Sequence, residues 1–303
     1  MQPMRWPSGG NLRRKMRLRC PQEGIVTVAQ GGRLGNQMWE YASVWAVARS
    51  TGLEPYVPRC LRRALDQVFT HLSIPTLTRI SHCIIRWGTV VDRYSLSSFL
   101  ESNESLQTSV LLPRFVVMPD LVLSDKYDIR EEFKFRGPLE EASRKVLSSI
   151  AGRRRNNAPT FPSITSITFV GIHVRRTDYR NYLWRTRQMH LAGPEYFHRA
   201  MDYFRKKYEN VAFVVVSDEA RWCQHHLATS NGDVFVVSGT PGSSLGPGRD
   251  LAIMAACNHS IIDYGTFGVW GAILAGGETL LYNISRHSSV KVAQLLPNWH
   301  IFD

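Results

Sequence analysis

The sequence is short of the signatures by which metalloproteins and common nucleotide enzymes are recognised. Its five cysteines, at positions 20, 60, 83, 223 and 257, form no Cys-x-x-Cys and no zinc-type spacing, and the set is compatible with a reducing or an oxidising compartment. No Asp-x-Asp is present to hold a divalent cation on a diphosphate, and the adjacent His225 and His226 diverge on a helix without a third ligand. No metal site is expected. The glycines spell neither G-x-G-x-x-G nor a Walker A loop, which argues against a nicotinamide or ATP site. No apolar run is long enough to cross a membrane. The nearest, Ser260 to Tyr282, carries Asp263, Glu278 and five glycines, and reads as strand–helix–strand. Acid is missing from residues 1–20, which hold Arg5, Arg13, Arg14, Lys15, Arg17 and Arg19. This basic leader has no apolar core of a signal peptide and is expected to be disordered. The chain is therefore expected to be soluble, or to lack an anchor that a longer form carries.

Length 303 and 44% hydrophobic content suit two domains with a core each. The formal charge is +12, and half of that excess lies in the leader. The remainder suits an anionic small ligand or an anionic membrane surface. Nucleic acid is disfavoured, because the charge is concentrated in the leader and no recognition motif accompanies it. Sequons at Asn103, Asn258 and Asn283 are glycosylation candidates and lean towards secretion.

Three segments are expected: the leader at 1–22, an N-terminal domain at 23–155 and a C-terminal domain at 156–303. The first domain opens as βαβ, with a strand from Gly24 to Ala29, a glycine-rich turn from Gly31 to Gly35 and a helix from Asn36 to Ser50. Met38, Tyr41, Ala42, Trp45 and Ala46 share one face of that helix. Pro58 to Pro113 is poorly patterned and reads as short helices and loops. A helix from Pro138 to Ile150 and a basic linker from Ala151 to Thr160 follow. The second domain alternates strands (164–174, 211–216, 234–237, 260–264, 279–282) with helices near 194–208, 219–227, 249–257 and 266–275, which predicts a parallel doubly wound sheet. The fold class is α/β, with two Rossmann-like halves whose carboxyl strand edges face a nucleotide cleft.

The candidate chemistry collects at those edges. After the first strand of the second domain come His173, Arg175, Arg176, Asp178 and Tyr179. Paired guanidinium groups match phosphate oxygens and keep their charge. Ser217 and Asp218 follow the next strand, and Gly265-Thr266 opens a helix whose amides suit phosphate. Gly31 to Gln37 sits at the equivalent edge of the first domain. For Asp218 and Thr266 taken singly, helix capping is the commoner role of such residues.

Taken in order, Gly32-Arg-Leu-Gly-Asn-Gln-Met38 with Glu40-Tyr-Ala42, His173-Val-Arg-Arg-x-Asp-Tyr179, Thr229-Ser-x-Gly-Asp233, Cys257-Asn-His-Ser260 and Gly265-Thr-Phe-Gly268 resemble the galactoside α-1,2-fucosyltransferases of the H-antigen type. Trp222-Cys223, Asp250-Leu-Ala252, Leu274-Ala-Gly-Gly277 and Leu296-Pro-x-Trp299 extend the likeness from Gly24 to Trp299. The resemblance implies a GT-B-like architecture and a metal-independent, cofactor-free, inverting transfer of L-fucose from GDP-β-L-fucose to the 2-hydroxyl of a terminal β-galactose. The partners it implies are GDP-fucose, galactose-terminated glycans and a Golgi membrane, which the family reaches as type II proteins. Carried over residue by residue, it implies that at least one of Arg175 and Arg176 binds the β-phosphate and that His173 and Asp178 shape the same loop and contact the nucleotide. Thr266, Phe267 and Gly268 then face phosphate through their amides. Gly35, Asn36 and Gln37 lie near the fucosyl diphosphate, with Ser217 and Asp218 beside the donor. Asp178 and Glu40 are the carboxylates on matched motifs that could act as base, with Arg175 stabilising the departing GDP.

Two departures stand out. Thr177 occupies a position that is usually Gly in the family, which points to a turn of positive φ or close approach that a β-branched residue must accommodate, or else lower nucleotide affinity. Ser124-Asp-Lys-Tyr127 matches the usual Ser-x-Lys-Tyr-Phe only in part. A GDP-fucose- or glycan-binding homologue without strong catalysis is the alternative.

Overall fold

The computed structural model describes residues 19–87, 109–157, 166–229, 231–238, 246–284 and 288–302, except for side chains at 125–128 and 156–157. The basic leader to residue 18 and the sequon at Asn103 lie outside the described residues. The chain divides into two compact units between Lys134 and Phe135.

The first unit is built on three parallel strands, β1 (Ile25–Val28), β2 (Glu54–Pro55) and β3 (Val110–Leu112), in the order β2-β1-β3. All four residues of β1 are buried. Helix α1 (Leu34–Thr51) starts earlier than the hydrophobic pattern indicates and is enclosed on most sides: Trp39, Val44, Val47 and Ala48 are buried along with the expected face. Gly52 ends it in the left-handed conformation, φ 80°, and donates its N–H to the Ala48 carbonyl. Helices α2 (Arg59–Leu65), α3 (Pro119–Val122) and α4 (Lys126–Glu132) are the other helices among the unit's described residues. Cys20 and Cys83 form a disulfide that ties the approach to β1 to the segment after the 3₁₀ turn Leu77–Ile80. Cys60, Cys223 and Cys257 are free thiols.

The second unit holds a six-stranded, all-parallel sheet: β4 (Thr168–Val174), β5 (Val211–Ser217), β6 (Val234–Val236), β7 (His259–Ile262), β8 (Thr279–Tyr282) and β9 (Trp299–Phe302). Its order is β6-β5-β4-β7-β8-β9. Counted within the unit this is 3-2-1-4-5-6, the doubly wound dinucleotide-fold order, whose direction reverses between β4 and β7. The helices are α5 (Gly137–Asn157), α6 (Tyr179–Arg187), α7 (Pro194–Lys207), α8 (Ala220–His226), α9 (Gly246–Ala255), α10 (Thr266–Ala275) and α11 (Ser288–Leu295). Val170, Ile172, Phe213, Val215, Ile261 and Leu280 fill the core with Phe197, Met201 and Phe204 of α7. Tyr196 Oη, buried with them, donates to the Ile262 carbonyl at 2.8 Å.

The unit boundary differs from the expected one at 155. Residues 151–157 are the end of α5 rather than linker, and α5 belongs to the second unit. Ile150 is fully buried, and Arg154, buried too, donates from Nε to the Val211 carbonyl and from Nη1 to the Asn231 carbonyl, both at 3.3 Å. The basic run that reads as solvated linker is thus partly a helix face docked on β5. Three elements of the second unit escape the sequence pattern. In α6 only Leu183 is fully buried, α11 is short, and β9 is an edge strand with His300 and Ile301 exposed.

Candidate active site at the strand-order reversal

Asp263 directly follows β7 at the reversal point and is 1% exposed. Its Oδ2 accepts the Arg175 N–H at 2.6 Å, its Oδ1 accepts the Tyr264 N–H at 2.7 Å, and His173 Nδ1 lies 3.3 Å from Oδ1. Burial pushes this carboxyl above the usual aspartate range, against the pull of His173 and the two amides. One buried carboxylate therefore joins the ends of β4 and β7. Sequence reasoning passed over it. The available signal was a lone acid ending the apolar run Ser260-Ile-Ile.

The two arginines have separate environments. Arg176 is held on the scaffold: its guanidinium carbon lies 3.6 Å from the Trp222 ring centroid, Nε pairs with Glu219 at 3.1 Å and Nη1 donates to the Ala192 carbonyl at 3.2 Å. Arg175 pairs through Nη2 with Asp178 at 2.5 Å and through Nη1 with Asp218 at 2.9 Å, at the open end of β4. The two-arginine clamp read from the sequence thus divides into one arginine at the strand end and one stacked into the wall.

Asp218 touches the 175–177 turn throughout. Oδ1 accepts the Arg176 N–H at 2.9 Å, and Oδ2 accepts the Thr177 N–H at 3.3 Å and the Thr177 hydroxyl at 2.5 Å. It does not cap α8. Ser217 Oγ instead accepts the Glu219 N–H at 2.9 Å. The strain considered at Thr177 is absent, because its φ is not positive.

Helix α10 opens beside this turn. Gly265 has φ 87° and ψ 151°, a region open essentially to glycine alone, and a Cβ there would meet Tyr179 Oη at 3.2 Å. The first intrahelical bond is Val269 N–H to the Gly265 carbonyl, so the amides of Thr266, Phe267 and Gly268 belong to the helix's open amino end. Gly268 lies against His173: a Cβ would stand 2.6 Å from His173 Nδ1. The His173 and Phe267 rings are 5.4 Å apart. Tyr179 stacks on Tyr264 at 4.8 Å and 6°, and carries the Arg175 guanidinium 5.9 Å from its ring centroid. The structure thus brings His173, Arg175, Asp178, Asp218 and the opening of α10 together.

In the first unit, Gly31, Gly35, Asn36 and Gln37 surround the start of α1, and Gln37 Nε2 donates to the Gly32 carbonyl at 3.4 Å. Glu40 is fully buried, with Oε1 accepting the Gly31 N–H at 2.9 Å and the Phe115 N–H at 3.1 Å. Burial raises its pKa, against those amides and Arg114. A base must reach its proton, and this enclosed carboxylate instead holds together the loops after β1 and β3. Phe115 has φ 59° and Gly31 has no room for a side chain, since a Cβ would meet Arg114 Nε at 2.9 Å and the Phe115 ring at 3.2 Å.

Asn258 is exposed but its Oδ1 accepts the Phe169 N–H at 2.8 Å, and its sequon partner Ser260 is wholly buried. Asn283 is exposed. Among the described residues, Cys20, His82 and Cys83 are the one group with metal-ligand proximity, and both sulfurs are taken up by the disulfide.

The family model of Glycosyl transferase family 11 matches residues 11–302. The chain belongs to this family. Among curated relatives, galactoside alpha-(1,2)-fucosyltransferase 2 of Mus musculus is 33% identical over 310 residues, covering 99% of this chain and 84% of that protein. Galactoside alpha-(1,2)-fucosyltransferase 1 of Mus musculus is 34% identical over 294 residues, covering 92% and 74%. Among solved structures, fucosyltransferase NodZ from Bradyrhizobium aligns with a TM-score of 0.51 at 16% identity, over 88% of this chain and 97% of that one. A variant of Arabidopsis thaliana FUT1 in complex with GDP aligns at 0.52 and 13% identity, over 90% and 73%. These structures share the fold, and family 11 membership makes the chain a glycosyltransferase of the GT-B-like α/β class.

Proposed function

We propose that this chain transfers L-fucose from GDP-β-L-fucose to the 2-hydroxyl of a terminal β-galactose, inverting the anomeric centre. The observation that carries the reading is the pairing of Arg175 with the open amino end of α10 at the reversal of strand order. That point, beyond the carboxyl edge, is where this sheet type binds ligands. The GDP-bound FUT1 structure and the galactoside fucosyltransferase relatives support the choice of donor and acceptor.

In the proposed mechanism the acceptor hydroxyl attacks the fucose anomeric carbon in line with the departing diphosphate. Negative charge grows on the β-phosphate as the bond breaks. The Arg175 guanidinium and the amides of Thr266, Phe267 and Gly268 stabilise that charge, with no metal required. Asp178, exposed beside Arg175, takes the acceptor proton. Arg176 supports the turn rather than the phosphate. A Golgi lumenal location is proposed on the family's pattern, and the Cys20–Cys83 disulfide is of the kind that an oxidising compartment maintains. No helix among the described residues is long and apolar enough to cross a membrane, and membrane association is proposed on the family's pattern alone.

The test is GDP release with GDP-fucose and a β-galactoside acceptor. Release is expected with the galactoside and not with its 2-deoxy analogue. Donor binding without acceptor-dependent release would identify the non-catalytic homologue instead.

A further inference from the structure

We infer that Thr177 and Asp218 form a hydroxyl–carboxylate latch that positions Arg175 for the donor diphosphate. The inference rests on the donor reading above and adds two positioning residues to it. Thr177 and Asp218 lie at the ends of neighbouring strands, β4 and β5, which are in register so that Val174 faces Ser217. Asp218 has two oxygens and commits both to the turn. Oδ1 is taken by the Arg176 amide. Oδ2 receives the Thr177 hydroxyl at 2.5 Å, the Thr177 amide at 3.3 Å and Arg175 Nη1 at 2.9 Å. The hydroxyl thus donates to the same oxygen that holds the guanidinium.

This geometry decides how that oxygen is placed. A carboxylate turns about its terminal bond over a broad, soft range, so two backbone amides alone leave the Oδ2 direction loosely defined. The threonine hydroxyl supplies a short, charge-assisted third donor from a β-branched side chain whose own first torsion is stiff. Arg175 is then braced on two sides, by Asp218 at Nη1 and by Asp178 at Nη2. Its fork is preset before an anion arrives, which removes a rotamer-ordering penalty from binding. Glycine at 177 could supply the amide but neither the hydroxyl nor the stiffness. The residue that departs from the usual family pattern is therefore an adapted part of the site, and not a sign of lost activity.

The experiment uses the intact protein with GDP as the probe, by calorimetric titration, followed by steady-state kinetics. Thr177→Val keeps the side-chain shape and removes the hydroxyl. It should weaken GDP binding by about 5- to 20-fold, at or below the lower end of what a hydrogen bond to a charged group contributes, because the hydroxyl acts through Arg175. The loss should appear in KM for GDP-fucose more than in kcat. Thr177→Ser should recover affinity to within about threefold, because the donor returns without the second methyl. In a double-mutant cycle, Thr177→Val in an Asp218→Asn background should add less than about twofold, since both act on one oxygen. Thr177→Val with unchanged affinity, serine that fails to rescue, or additive effects would overturn the latch. Wild-type protein that binds no GDP would instead overturn the donor reading. The same cycle read by urea unfolding without GDP then judges the latch alone: coupling between 177 and 218 supports it and independence refutes it.

Discussion

Removing each arginine of the Arg175–Arg176 pair in turn should give opposite phenotypes, although their chemistry is identical. Arg176→Ala removes a guanidinium stacked 3.6 Å from the Trp222 centroid, a 3.1 Å ion pair with Glu219 and a 3.2 Å bond to the Ala192 carbonyl, from a side chain 11% exposed. A partly desolvated cation–π contact contributes on the order of 1–2 kcal/mol and a charge-assisted hydrogen bond about 1.5 kcal/mol, so a loss of roughly 2–4 kcal/mol is expected. For a domain of this size that is a fall in Tm of about 5–12 °C. Arg175→Ala removes a pair to Asp178, 52% exposed, and one to Asp218, 19% exposed, which together contribute about 1–2 kcal/mol. Its Tm should move by a few degrees at most. Its kcat/KM should fall by about 10²–10³, the usual consequence of losing one preorganised donor at developing charge. Differential scanning fluorimetry and GDP-release kinetics on both variants provide the readings. An Arg176→Ala protein with wild-type Tm, or an Arg175→Ala protein with wild-type kcat/KM, would refute the division of labour.

Other outcomes follow from the same geometry. Activity should survive EDTA, since guanidinium and helix amides are positioned to hold the diphosphate; loss on chelation with recovery in Mn²⁺ would contradict this. Cys20→Ser should lower stability by up to about 4 kcal/mol, the chain-entropy value for a cross-link across a sequence separation of 63 residues, measured by urea unfolding of purified protein. Glu40 has its folded-state pKa raised by burial, so its contribution to stability is fully present below the unfolded value near 4 and is lost as pH rises through the folded one. The stability of wild type relative to Glu40→Gln should therefore decline from about pH 4 towards neutrality; a difference that grows with pH would reverse the assignment. Gly268→Ala should displace His173 and reduce GDP affinity by titration, because the added carbon would fall 2.6 Å from the His173 ring.

Much of the second unit was legible in the residues because its strands are buried on both faces. Continuous apolar runs such as Val211–Ser217 admit few alternatives, and the βα turns that follow them carry the polar residues. What escaped legibility depends on partners distant in the chain. Arg175 and Arg176 are neighbours in sequence, and what distinguishes them is Trp222, Glu219 and the Ala192 carbonyl around one and Asp178 and Asp218 around the other. Glu40 sits on a matched motif and looks available as a base until the loop at Phe115, 75 residues on, closes over it. Asp263 reads as a charge interrupting an apolar stretch, and its role emerges with the pairing of β4 and β7. The strand β3 is three residues long in a segment without pattern, so periodicity had nothing to register.

That reliance on distant partners governs when the site can come into being during synthesis. The Arg175 amide finds its acceptor 88 residues later, at Asp263, and β4 gains its second neighbour only when β7 has been made. Pairing over such separations is slow, because a long loop must close before any contact rewards it. A ribosome that has delivered Arg175 has yet to deliver what orients it and the helix end that shares its ligand. The donor pocket is accordingly among the last features to mature, and a chain able to grip GDP is one whose sheet is already complete through β7.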